Sequence, residues 1–395
     1  MAKKVDGNNE SKSLKDFLSK KYPEAMNVDI ISEVKFLDTG IPTLNYVFSG
    51  RPLTGGMPLT GKITCMYGPE GSGKTSYVAH IIAKAQEKGI EVVYMDTERS
   101  ITKPRLMQFG VDLDNLIYMT PETMEECFDV IEEICKERAV SDNSENILII
   151  WDSLAMTPTS DEIERKSTDV EIASQARVLS RNLRRIRGKI QLTGAGLLLI
   201  NQARANQSRY GDLFTMPGGY ALQHAADVIL RVNKMKPSVD GQGIKISTPI
   251  KNRLFRPFQS TTIQFDYSKG FTQEGIIDSF CEFLKQIEIL GQSGAWCYLS
   301  TDVDELMEAE NIDRKEATKK VKKFYIKDFS NRLLEDPEYY REMLTKAEEF
   351  VNKNITLVAN LTFDEEVKAL EHELTSMDIV TEDTKKLIKE MREEE

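Results

Sequence analysis

The sequence predicts an α/β fold on a mainly parallel sheet, and three observations carry that prediction. Short apolar, β-rich runs alternate with helical stretches from about residue 36 to 271. A glycine-rich turn follows the first long apolar run and opens a helix. The chain has 395 residues, 40% of them hydrophobic, enough for a large buried core and for more than one domain.

In chain order, residues 1–10 are polar and read as a frayed end. Leu14, Phe17 and Leu18 then recur at helical spacing over 13–20, a short amphipathic helix that stops before Tyr22 and Pro23. Candidate strands span 62–67, 92–95, 116–119, 147–151, 197–200, 228–232, 244–250 and 261–265. Beyond Gly270 the sequence becomes charged and helical: Ile276, Ile277, Phe280, Phe283, Leu284 and Ile287 predict a helix over 274–290, and glutamate and lysine dominate after Asp304. The expected domains are 1–35, an N-terminal helical appendage; 36–270, the α/β core; and 271–395, a smaller α/β or helical domain with a tail ending in Glu393, Glu394 and Glu395.

Composition narrows the function. The longest apolar runs fall far short of the roughly 18 residues a membrane span needs, and no apolar stretch follows the first lysines, so a cytoplasmic protein is expected. Cys65, Cys127, Cys135, Cys281 and Cys297 are scattered and odd in number, against a disulfide framework or zinc cluster. Three histidines make a multi-histidine metal site unlikely, leaving Mg²⁺ held by oxygens as the metal to expect. A net charge of -11 speaks against a general polyanion binder, so basic patches must be read locally.

Gly68, Pro69, Glu70, Gly71, Ser72, Gly73, Lys74 and Thr75 satisfy G-x-x-x-x-G-K-[ST] between a strand and a helix that continues through Ser76. Glycines let backbone N–H groups wrap phosphates, Lys74 reaches the terminal phosphates, and Thr75 coordinates Mg²⁺. Asp152 ends an apolar strand where such enzymes place a magnesium carboxylate, although a strand-end Asp also caps helices. Glu98, just past another strand, is placed to polarise a water, and Gln202 to bond the γ-phosphate or that water; alone, Gln202 reads as an ordinary loop residue.

These residues, together with Thr39 to Asn45, Gly110 to Leu116, Trp151 to Ala155, Ile200 to Gln202, Pro217 to Gly219 and Gly294 to Trp296, resemble the RecA recombinases and, within them, the phage-encoded UvsX type. The resemblance covers most of residues 34–300 and implies a RecA-like P-loop NTPase core that uses ATP and Mg²⁺. By it, Glu98 corresponds to the catalytic glutamate and Gln202 to the glutamine linking γ-phosphate to a DNA-binding loop. Lys251 and Arg253 match a pair of cations that reaches a neighbour's ATP across a filament interface; Arg253 keeps the charge with a different geometry. Arg105 stands where relatives stack an aromatic residue on adenine, a role a guanidinium plane can also fill.

Arg177, Arg181, Arg184, Arg185, Arg187 and Lys189 form an acid-free stretch, with 177, 181, 184 and 188 on one helical face. By charge alone this is either a solvated face or a nucleic-acid contact. The resemblance assigns a first DNA loop to 161–172, with Ile172 as the residue inserted between base triplets and Arg177 and Arg184 as backbone contacts. It assigns a second loop to 203–217, carrying Arg204, Arg209, Tyr210 and Phe214, followed by Gly218 and Gly219; cations interleaved with aromatics suit single-stranded DNA. Arg314, Lys315, Lys319, Lys320, Lys322, Lys323 and Lys327 lie where relatives capture duplex, but flanking acids favour a solvated helix.

The resulting expectation is an ATP-dependent recombinase that polymerises on single-stranded DNA and exchanges strands with a homologous duplex. Its partners would be further copies of itself, a single-strand-binding protein and a mediator, in a bacterial cytoplasm as a phage product. The alternatives are a hexameric helicase on the same fold and an accessory ATP-binding paralogue that exchanges no strands.

Overall fold

The structure is a computed structural model and describes residues 34–140, 146–164, 174–205, 214–237, 241–294 and 296–359. The expected helix over 13–20, Ile172, Arg209, Tyr210 and the acidic tail lie outside the described residues.

The chain enters through β1 (Phe36–Leu37), α1 (Pro42–Ser49) and β2 (Met57–Pro58). It continues as β3 (Ile63–Gly68), α2 (Lys74–Glu87), β4 (Glu91–Asp96), α3 (Lys103–Gln108), β5 (Leu116–Met119), α4 (Met124–Val140) and β6 (Ile147–Asp152). Then come α5 (Ser160–Glu164), α6 (Ser174–Thr193), β7 (Gly196–Gln202), β8 (Arg204–Ala205), β9 (Phe214–Thr215) and α7 (Gly219–Ala225). The antiparallel strands β11 (Gly241–Asn252), β12 (Ser260–Asp266) and β13 (Gly270–Phe271) follow β10 (Val228–Pro237).

Nine of these strands make one sheet in the order β13-β12-β11-β10-β3-β7-β6-β4-β5, parallel from β10 to β5. Strand alternation sorts the side chains between two cores. Val92, Tyr94, Leu148, Ile150, Leu198 and Ile200 face the core under α1 and α2. Val93, Met95, Ile149, Trp151, Leu197 and Leu199 face the one under α4, α6 and α7. Helices on both faces explain why these strands are apolar at consecutive positions.

Beyond the sheet, α8 (Gln273–Gln286) begins at Thr272, whose side chain accepts from the Gly275 amide. This helix is shorter than its periodicity suggests. Glu288 turns with φ 60, and the chain enters β14 (Leu290–Ser293), which pairs with β15 (Trp296–Leu299). The helices α9 (Ser300–Glu310) and α10 (Arg314–Lys320) follow, then β16 (Phe324–Tyr325), α11 (Ile326–Glu335) and α12 (Pro337–Ala359). The three-stranded sheet β14-β15-β16 is therefore a finding that the charged, helix-like composition concealed. Its strands are two to four residues long, too short for alternation to register. The region docks on the core through Tyr46 against Phe283, ring centroids 4.6 Å apart, and through Glu348, which accepts from the Leu53 and Thr54 amides at 2.8 and 2.9 Å.

Candidate nucleotide site and DNA-facing helix

The loop from Gly68 to Gly73 carries β3 into α2, so the amino end of a fourteen-residue helix points at whatever the loop holds. Gly71 and Gly73 adopt φ values of 67° and 95°, and a Cβ on Gly73 would stand 2.7 Å from Ile244 Cδ1. Only glycine meets both demands. Lys74 Nζ folds back onto the Gly68 and Pro69 carbonyls at 3.0 and 2.9 Å. Burial lowers its pKa against the opposing pull of Asp152, Glu98 and Glu70.

Every catalytic candidate predicted on the nucleotide side collects at the carboxyl edge of the parallel strands. Glu98 follows β4, Asp152 ends β6 and Gln202 ends β7. Glu98 Oε1 accepts from Gln202 Nε2 at 3.1 Å and from the Ser153 hydroxyl. Asp152 is buried, and burial together with the Glu98 and Asp96 carboxylates pushes its pKa up to about 7, while Tyr94 OH at 3.3 Å and Lys74 oppose the shift.

A cavity of about 280 Å³ links these groups to a second end formed by Arg105, Gln242, Phe265 and Tyr267. Arg105 is held flat there. Its terminal nitrogens donate to Ser76 Oγ at 2.9 Å, Gln108 Oε1 at 2.7 Å and the Tyr267 carbonyl at 3.2 Å, and it lies 5.0 Å from the centre of the Phe109 ring. Ser153, Gln242 and Tyr267 were not legible as site residues in the sequence. Ser153 was signalled only by adjacency to Asp152; nothing local marks the other two, which the start of β11 and the β12–β13 turn deliver side by side.

Lys251 and Arg253 stand apart from this cluster. Lys251 pairs in register with Ile229, and the Arg253 amide bonds to Asp227, whose own amide bonds to Ile63 at the start of β3. Arg253 occupies the amino edge of the parallel strands, about 17 Å along β3 from the phosphate loop, and Lys251, level with Cys65, lies about 10 Å from it.

The basic stripe of α6 divides in two. Arg177, Arg181, Arg184 and Gly188 are exposed, while Leu179, Leu183, Ile186 and Ile190 are buried. Arg185 instead pairs with Asp129 at 3.2 Å and Glu132 at 3.0 Å, Lys189 pairs with Glu132, and Arg187 with Asp227 at 2.7 Å. Beyond β7, Arg204 pairs with Thr215 and Ala205 with Phe214, so the ends of the second expected loop close as a small ladder. Asn201 Nδ2 bonds to the Pro217 carbonyl at 2.8 Å, tying the far end to the strand that carries Gln202. Gly218 (φ 96) is the residue before α7 and Gly219 (φ 61) its first. In the C-terminal basic cluster, Arg314 pairs with Asp304 and Lys320 with Glu310 and Glu316.

A strand, a phosphate-wrapping glycine loop and carboxylates at the ends of neighbouring parallel strands define a P-loop nucleoside triphosphate-binding protein. The RecA N-terminal domain family matches residues 26–272. Protein RecA of Symbiobacterium thermophilum is 33% identical over 262 residues, 65% of this chain and 72% of that protein. Protein RecA of Mesomycoplasma hyopneumoniae strain J is 32% identical over 248 residues, 61% of this chain and 70% of that protein. Protein RecA of Clostridium acetobutylicum is 31% identical over 278 residues, covering 69% and 74% respectively. The chain belongs to the RecA family.

Proposed function

We propose that this protein is an ATP-dependent recombinase and DNA-dependent ATPase, which polymerises on single-stranded DNA, pairs it with a homologous duplex and exchanges strands. The observation that carries this reading is the Gln202–Glu98 hydrogen bond. It joins the carboxylate best placed to activate water to the strand leading into the second DNA loop, so one side chain senses both nucleotide and DNA. Glu98 orients the attacking water and takes its proton, Lys74 meets the charge growing on the terminal phosphates, and Arg105 with Tyr267 receives the base.

Among the described residues no cluster of three or more acidic, histidine or cysteine side chains is arranged to hold a metal by itself, so Mg²⁺ would be shared with the phosphates. Asp96, Glu98 and Asp152 lie close together, the Asp96 Oδ1 atom is buried without a partner among the described residues, and burial, with the two neighbouring carboxylates, raises the Asp152 pKa. Thr75 and Asp152 would hold Mg²⁺, which when bound neutralises phosphate oxygens.

Lys251 and Arg253 act on the nucleotide of an adjoining copy, a role supported by their distance from their own loop. Head-to-tail contact of this kind builds an open helical polymer. The strand β5 supports it too: among the described residues it bonds to β4 alone in the sheet and leaves Ile117 and Tyr118 exposed, an edge that another chain could join. Arg177, Arg184 and Arg204 then hold the DNA backbone, with Ile172, Arg209, Tyr210, Phe214, Gly218 and Gly219 completing the surface. The phage subtype, the cytoplasm of a host cell, and the single-strand-binding and mediator partners complete this proposal and rest on the motif resemblance. Among the described residues no helix is long and apolar enough to cross a membrane.

The experiment is steady-state ATP hydrolysis without DNA, with single strands and with duplex, at several salt concentrations. Stimulation by single strands that fades with salt is the expected result. Hydrolysis indifferent to DNA would overturn the reading in favour of an accessory ATPase.

A further inference from the structure

Asp227 is a buried carboxylate at the amino edge of the sheet, outside the nucleotide pocket, and it gathers three donors. It accepts from the Ile63 amide at 3.0 Å, from Arg187 at 2.7 Å and from Arg253 at 3.3 Å. Burial works to raise its pKa, but Arg187, the Ile63 amide and Lys62 outweigh that, so it stays ionised. The two arginines are held differently. Arg187 makes a second contact to the other carboxylate oxygen at 3.3 Å and also bonds the Ala225 carbonyl, a closed fork. Among the described residues Arg253 has the 3.3 Å contact and a long one to the His224 carbonyl at 3.4 Å, and its side chain remains about half exposed. Lys251 beside it bonds the Gln223 carbonyl at 2.6 Å.

We infer that Asp227 is a positioning residue for Arg253, and that Arg187 neutralises Asp227 so that Arg253 is aimed at a neighbour's phosphates without being captured by its own chain. The inference rests on the proposal that Arg253 acts in trans. Its physical basis is charge division. One carboxylate shared by two guanidiniums binds the bidentate partner tightly, and the exposed partner keeps most of its field for a ligand. A lone Asp227 would hold Arg253 as a closed pair, and without any carboxylate Arg253 would sweep through its rotamers. Arg187 also stands on α6, whose exposed face carries Arg177, Arg181 and Arg184, so a shift of that helix on binding DNA moves the group that sets Arg253's freedom.

The test is a double-mutant cycle on the full chain. Asp227→Asn keeps an acceptor for the Ile63 amide and should lower single-strand-stimulated kcat about ten-fold, with KM and DNA-free hydrolysis unchanged. Arg187→Gln should do the same by the opposite route, leaving Asp227 unneutralised. In an Arg253→Ala background neither substitution should lower kcat further, because both act through Arg253. Equal losses in both backgrounds, or full stimulated hydrolysis in Asp227→Asn, overturn the inference. Should Asp227→Asn fail to fold, the Arg187→Gln arm decides alone, since it leaves the Asp227–Ile63 bond in place. If Arg253→Ala itself hydrolyses normally on DNA, the trans reading has failed, an outcome distinct from normal Asp227→Asn kinetics beside an impaired Arg253→Ala.

Discussion

His80 shows how much a single side chain can report about this core. It lies on α2 with Nε2 2.7 Å from the Thr39 carbonyl and its ring edge-on to Phe271. Burial drives its pKa down to about 4, against the opposing effect of that hydrogen bond. A depressed histidine stabilises the fold fully above its unfolded pKa of about 6.5, because there neither state carries the proton. As pH falls from about 6.5 towards 4, the unfolded chain takes up a proton that the folded one refuses, and up to about 3 kcal/mol is lost. Melting temperature should therefore fall between pH 7 and 5, and His80→Gln should flatten that part of the curve. At the nucleotide loop, Lys74→Ala should remove ATP binding and hydrolysis together, measured by nucleotide titration and phosphate release. The residue types of this loop were legible in the sequence because its chemistry is contiguous, eight positions in a row between strand and helix. Tyr267 was not, because its role depends on where a distant β turn places its ring.

On α6, spacing put Arg177, Arg181 and Arg184 on one face of an acid-free stretch of six cations, and packing decided what the other three meet. Arg177, Arg181 and Arg184 share the exposed face, whereas Arg185 and Lys189 point at α4, where Asp129 and Glu132 meet them. Those acids lie more than fifty residues earlier in the chain, so no local window contains them. Arg184→Ala should weaken single-stranded DNA binding across sequences and reduce the salt slope by about 0.7, read by titration at several ionic strengths. Arg185→Ala should leave that slope unchanged and cost at most about 1 kcal/mol of stability, because its ion pairs are partly exposed. The three-stranded sheet near the C-terminal helices shows the opposite case: its two-residue β16 gives periodicity nothing to measure.

At the scale of the whole molecule, the phosphate loop lies at one edge of the parallel sheet and Arg253 at the other, so under the proposed trans role a site is completed by an adjoining copy. Mixing separates the halves. Lys74→Ala subunits retain Arg253 and Arg253→Ala subunits retain the loop, so the first alone should be inactive and the second should keep only a small residue of its hydrolysis on DNA. An equal mixture should recover roughly a quarter of wild-type hydrolysis, the fraction of head-to-tail contacts that pair one intact half with the other. Absence of recovery, with both variants shown to bind DNA together, would place Arg253 in its own subunit's site. The sequence by itself determined the class of fold, the nucleotide loop and the ends of the core strands, since strand-forming apolar runs and glycine turns act over a few neighbours. Tertiary structure alone decided which cations pair with acids on another helix, which carboxylate restrains Arg253, and which sheet edge each group faces. Those depend on pairing between residues far apart in sequence, where partner, distance and burial exist only once the sheet has closed and the helices have packed on it.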